Sequence, residues 1–231
     1  MVDAYFCIDA SPTGFQQTEK IHAQTTTKLN AIALLNKEWP QNYILKIKFL
    51  NGHQILHYWV IESILQNYQP YINLTLKFVT DPNEPADIRV TFDRNNNGSW
   101  SFIGTDAWSV YDQTLPTMNI AVTNTGIGVV LHEFGHAIGP WGHEHQSPYV
   151  DIQWDVDKVV SDLADWTYKE IMDNIVNPYG EHEVQEAVYD ITSIMHYKYD
   201  PSWTLNGIHT QNNSSLSPGD IKSLRKTYPF A

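Results

Sequence analysis

Residues 132–148 read HEFGHAIGPWGHEHQSP. His132 and His136 stand four residues apart. On an α-helix this places both imidazoles on one face, one turn apart, where they can share a metal ion. Glu133 falls on a neighbouring part of that face and can reach a metal-held water without being a ligand. The pattern His-Glu-x-x-His fixes only three residues, and ordinary amphipathic helices also carry it with His and Glu in solvent. Its surroundings favour the metal. Ile127, Val129, Val130 and Leu131 precede it, so a helix over TGIGVVLHEFGHAIG is expected to be buried. A buried helix that displays two histidines and a glutamate needs a reason, and a metal supplies one. Gly139 is expected to end this helix as a C′ glycine. Beyond it, Pro140 blocks continuation, and Gly142 is expected to use the positive φ open to glycine. His143 and His145 then follow as candidate third ligands.

Outward from this stretch, the chain alternates strand and helix patterns. MNIAV (118–122) is a short strand just ahead of the metal helix. DIRVTF (87–92), INLTLKFV (72–79) and YILKIKFL (43–50) are further strands, the last two alternating apolar and polar residues. QILHYWVIESILQNY (54–68) has helical spacing, and Asn51-Gly52 turns the chain into it. Residues 17–37 are expected to be helical and to stop at Trp39-Pro40. RNNNGSW after Asp93 reads as a turn; DRNNNG copies half a calcium loop, but Gly104 stands where a bidentate Glu is needed. Residues 155–190 read as helical. In SLSPGDIKSLRKTYP a last helix is capped by Ser217, with Pro218 at N1 and Asp220 at N3. With no repeat and no linker, residues 1–231 are expected to form one domain of α+β class. It divides into an N-terminal segment (1–38), a sheet-and-helix upper lobe (39–139) and a helical, irregular lower lobe (140–231).

Composition excludes several classes. Hydrophobic residues make up 42%, enough for a full core. The net charge is −12 and no Lys/Arg run builds a basic patch, so a nucleic-acid partner is not expected. No stretch reaches the ~18 apolar residues of a membrane helix. Cys7 is the one cysteine, so no intramolecular disulfide can form. MVDAYFCIDASPTGF lacks the basic and apolar regions of a signal peptide. Sequons occur at Asn73, Asn97, Asn212 and Asn213.

HEFGHAIG followed by HEHQSP, together with SIMHY at 193–197, resembles the astacin-type metzincin zinc endopeptidases. GSWSFIGTDA and LSPGDIKSLRKTYP add softer agreement, so the resemblance runs from about Trp39 to Tyr228. It implies a zincin-like fold, with a mixed twisted sheet and helices above, a helical lower lobe, and zinc in the cleft between. It implies Zn2+ held by His132, His136 and His143, with Tyr197 as a further ligand that swings away to stabilise the oxyanion. Glu133 would be general base and acid, and Met195 the hydrophobic floor. It also implies a secreted, monomeric enzyme acting on protein or peptide, with substrate adding to Thr117–Val122 as the edge strand of the cleft. The same strand could instead be a buried central one.

Two departures stand out. The cysteine pairs of animal astacins are missing. One extra residue separates Gly139 from His143, so His145, or two histidines plus Tyr197, stay open as alternatives. Glu144 aligns with the glutamate that meets the mature N-terminus in that family. Cys7 could hold an enzyme latent, or be incidental. The rival functions are a catalytically impaired zinc-binding protein on the same scaffold and a zinc amide hydrolase with a non-protein substrate.

Overall fold

β2 (Ile44–Phe49) buries Leu45 and Ile47 completely and is an inner strand of the sheet. The chain leaves it through Asn51-Gly52, where Gly52 takes φ 95°, a conformation suited to glycine. α1 (Gln54–Asn67) follows and is capped by His53, whose Nδ1 accepts from the Ile55 amide. β3 (Thr75–Val79) and β4 (Ile88–Thr91) then add in parallel on either side of β2. β5 (Trp100–Ser101) and β6 (Met118–Asn119) complete a five-stranded sheet of order β3-β2-β4-β6-β5, with only β5 antiparallel. The computed structural model describes residues 32–94, 98–121, 126–185, 187–196, 198–210 and 213–230.

The strand order corrects one expectation. The strand ahead of the metal helix is not at the edge. Met118 pairs with Val90 on one side and Ser101 on the other, and both Met118 and Asn119 are fully buried. The sheet ends at β5, within the GSW segment read as a turn. Two residues of strand carry too little alternation to show in sequence.

α2 (Ile127–Ile138) packs on α1, β5 and β6. Its Val130, Leu131, Phe134 and Ile138 join Leu45, Ile47, Val60, Ile64 and Val90 in the main core. A second, smaller core lies further along the chain, where Val159, Leu163, Ile171, Ile175, Tyr199 and Trp203 cluster and Trp100 of β5 packs against them.

The helical reading of 155–190 is only partly right. α3 (Val156–Asp162) stops, and α4 (Tyr168–Ile171) starts afresh behind Thr167, which forms a capping box with Glu170. The helix then widens into a π-turn, Met172–Val176, before Pro178. From there to residue 190 the described residues are irregular apart from β7 (Val184–Gln185). The last part of the expected N-terminal helix is corrected as well. Residues 17–31 lie outside the described residues, but β1 (Ala33–Leu34) is a strand antiparallel to β7, and Asn36 turns with φ 64°. Tertiary pairing of the Ile32–Leu35 backbone has overridden local helix propensity there. α5 (Pro218–Thr227) begins as its sequence dictates, with Ser217 and Asp220 closing a capping box, a device worth ~1 kcal/mol.

Candidate metal centre

α2 presents its C-terminal end to the site, and side chains from distant segments finish it. A helix leaves its last carbonyls without partners. Here Trp39 Nε1 donates to the Ala137 carbonyl at 2.9 Å and Tyr228 Oη to that of Ile138 at 2.7 Å. Gly139 is not a left-handed C′ glycine: its φ is −138° and its ψ 177°, extended backbone that any residue adopts. Glycine is required for space, because a Cβ would lie 1.7 Å from the Trp141 ring. Gly142 has no positive φ either; a Cβ there would meet the Tyr179 hydroxyl at 2.6 Å. The loop therefore absorbs its length by close packing rather than by glycine torsions.

That loop is held from several sides. Leu34 donates its amide to the Pro140 carbonyl at 2.6 Å, and Gly142 donates to the Ile32 carbonyl at 3.1 Å. The His143 amide donates to Tyr179 Oη at 3.0 Å, and the Glu144 amide to the Met195 carbonyl at 3.1 Å. The buried Glu144 carboxyl accepts from the Ile32 amide at 2.8 Å and the Asp190 amide at 3.2 Å.

The three histidine side chains converge. His132 is 8% exposed, His136 and His143 not at all. His136 Nε2 lies 3.2 Å from His132 Nε2 and 3.1 Å from His143 Nε2. Each ring has an acceptor on its other nitrogen. His132 Nδ1 faces the Ile194 carbonyl and His136 Nδ1 the Trp141 carbonyl, both at 2.7 Å, while His143 Nδ1 faces Gln146 Oε1 at 3.3 Å. Those acceptors place the ring protons on Nδ1, which leaves three Nε2 lone pairs pointing at one another. Lone pairs cannot bond to each other, and a cation relieves the conflict. The spacing fits one: nitrogens on a tetrahedral zinc are ~3.3 Å apart for Zn–N of ~2.0–2.1 Å. Burial, then His136 and His132, push the His143 imidazole well below the usual histidine range, so it is neutral and able to ligate. Among the described residues, His132, His136 and His143 are the cluster able to hold a metal.

The other expected residues fall around this triad. Glu133 is 2% exposed, on the turn of α2 that carries His132. Met195 lies under the helix, its Sδ against Gly135, where an added Cβ would come within 2.4 Å. The Met195 loop is held by α5: Asp220 accepts from Ser193 Oγ at 2.6 Å and from the Ile194 amide at 2.9 Å. Asp220 thus supports the carbonyl that orients His132, a role not visible in its reading as a helix-capping residue. His145 turns away from the triad, its Nε2 facing the Asn174 carbonyl at 3.1 Å. Tyr197 and Cys7 lie outside the described residues.

Comparison with known proteins supplies the family. The sequence model described as Astacin, a peptidase family, matches residues 31–228. The chain belongs to the astacin family. This astacin-family chain is 27% identical over 223 residues to zinc metalloproteinase nas-39 of Caenorhabditis elegans, a match that covers 87% of the chain and 21% of that protein. It is 33% identical over 116 residues to human Tolloid-like protein 1, covering 44% of the chain and 11% of that protein. The chain thus spans about a fifth or less of these relatives' own length. Among solved structures, myroilysin matches with a TM-score of 0.79 and 32% identity, over 87% of this chain and 99% of that one. The hatching enzyme HCE-1, a zinc-protease of Oryzias latipes, shares the fold at TM-score 0.55 and 16% identity, over 85% of this chain and 97% of that one. The α+β, zincin-like fold implied by the sequence is therefore the observed one.

Glu144 gives this site a pH signature. Burial pushes its carboxyl up to about 8, against the lowering effect of the Ile32 and Asp190 amides. The folded chain then keeps a proton that the unfolded chain releases from about pH 4.5 upward. Stability from this group is full below that pH and is lost as pH rises to about 8, by up to ~1.4 kcal/mol per pH unit. Glu144→Gln is expected to flatten this slope in melting temperatures taken from pH 5 to pH 9. Parallel curves for the two proteins would refute the assignment.

Proposed function

We propose that this astacin-family chain is a zinc-dependent endopeptidase whose metal ligands are His132, His136 and His143. The observation that carries the reading is the meeting of three imidazole Nε2 atoms, each ring fixed through Nδ1. Zinc, when bound, supplies Lewis-acid activation of water and of the scissile carbonyl. The residues of the chain do the rest. Glu133 takes the proton of the attacking water on its carboxylate and later delivers it to the leaving amine. Tyr197 is assigned the roles the family resemblance implies, further ligand and donor to the oxyanion. Substrate is protein or peptide, lying extended along the outer edge of β5. Residues 39–139 and 140–231 act as upper and lower lobes of one catalytic domain, secreted and monomeric. The relatives named as zinc metalloproteinases support the metal and the reaction class.

The test is cleavage of casein and of a peptide library by the purified protein, before and after removal of residues 1–31. Zinc content is measured alongside. Cleavage is expected to vanish on treatment with a chelator and to return with added zinc. A folded, zinc-loaded protein that cuts no peptide in either form would overturn the reading. It would leave a zinc-binding scaffold or an amide hydrolase with another substrate.

A further inference from the structure

His132 and His136 take their Nδ1 acceptors from backbone carbonyls, whereas His143 takes a side chain, Gln146 Oε1. A side-chain amide can turn over, so this acceptor is dependable only if something fixes it. The π-turn Met172–Val176 does so. The Asn177 amide bonds five residues back, to the Met172 carbonyl, at 2.8 Å. In a regular α-helix it would have gone to Asp173. The next donor in π register would be residue 178, which is proline and has no N–H. The Asp173 carbonyl is thereby released from the helix, and Gln146 Nε2 donates to it at 2.7 Å. The same Nε2 donates to the Asn177 carbonyl at 2.9 Å. Carbonyls only accept, so both contacts require the NH2 end of the amide, and Oε1 must face His143.

We infer that Gln146, locked by the Asp173 carbonyl released at the π-turn and by the Asn177 carbonyl just past it, is the positioning residue of the third metal ligand. It holds the proton on His143 Nδ1 and aims Nε2 at the other two imidazoles. The inference rests on the zinc reading above and assigns to one residue the task of setting the ligand that follows the lengthened loop. Outer-shell partners of this kind typically change metal affinity ~10–100-fold when removed.

Two variants of the full chain separate positioning from packing. Gln146→Met keeps the length and loses every hydrogen bond. Gln146→Glu loses both donors to the carbonyls but offers His143 Nδ1 an acceptor whichever way the carboxylate turns, so it does not need the lock. Zinc affinity is read by competition with a chromogenic chelator, ligand geometry by the visible spectrum of the cobalt(II) form, and folding by melting of the metal-free protein. The expected result is that both variants melt lower, while only Gln146→Met loses zinc affinity, by ~10–100-fold, with a changed cobalt spectrum. Wild-type affinity in Gln146→Met overturns the inference. Equal loss of affinity in both variants also overturns it, since a purely structural residue behaves so. If the wild type takes up no zinc while remaining folded, the zinc reading itself falls, and this inference with it.

Discussion

Glu133→Gln is expected to lower peptide cleavage by ~10²–10⁴-fold, the usual contribution of a positioned general acid–base. The substitution is isosteric, at a residue 2% exposed on a helix whose neighbours are unchanged. Zinc content and melting temperature should therefore stay at wild-type values. The amide can neither take a proton from water nor return one to an amine. Steady-state kcat/KM on a fluorogenic peptide, with zinc measured on the same sample, checks this. A variant that retains full zinc and more than about a tenth of the activity would show that proton transfer lies elsewhere.

His143→Ala and His145→Ala are expected to differ sharply. The first removes one of three converging nitrogens and leaves His132 and His136 alone, so zinc affinity should fall by more than the ~10–100-fold typical of outer-shell losses. The second removes a ring whose Nε2 faces the Asn174 carbonyl, outside the triad. It should lower the melting temperature and leave one zinc bound per chain. Chelator competition on both variants decides between them. The reverse ranking would move the third ligand to His145.

The helix bearing His132, Glu133 and His136 was legible in sequence because a metal pair and an apolar face both repeat at helical spacing. The Met195 loop was legible through SIMHY. What escaped the sequence depends on partners far away in it. Gly139 and Gly142 look like torsional glycines, yet they make room for Trp141 and Tyr179. β5 is two residues long, and only its partner β6 reveals it as the edge strand. Residues 32–37 extend a helical pattern, but their backbone groups are drawn to Pro140, Gly142 and Glu183. Gln146 stands inside HEHQSP, but that motif shows no role for it. Its part in the site depends on a carbonyl of another element, left free because Pro178 has no N–H to offer it.

The Ile32–Leu35 strap also bears on the kinetics of folding. Ile32 meets Glu144 across 112 positions of chain, and Trp39 meets Tyr228 across 189. Joining such remote points restricts a long loop before any contact rewards it, whereas α2 and the capped α5 are closed by local bonds. The strap bonds directly to Pro140, Gly142 and Glu144. Competence to capture a metal ion is therefore expected late in folding, and zinc uptake by a refolding chain is expected to track the arrival of residues 32–35.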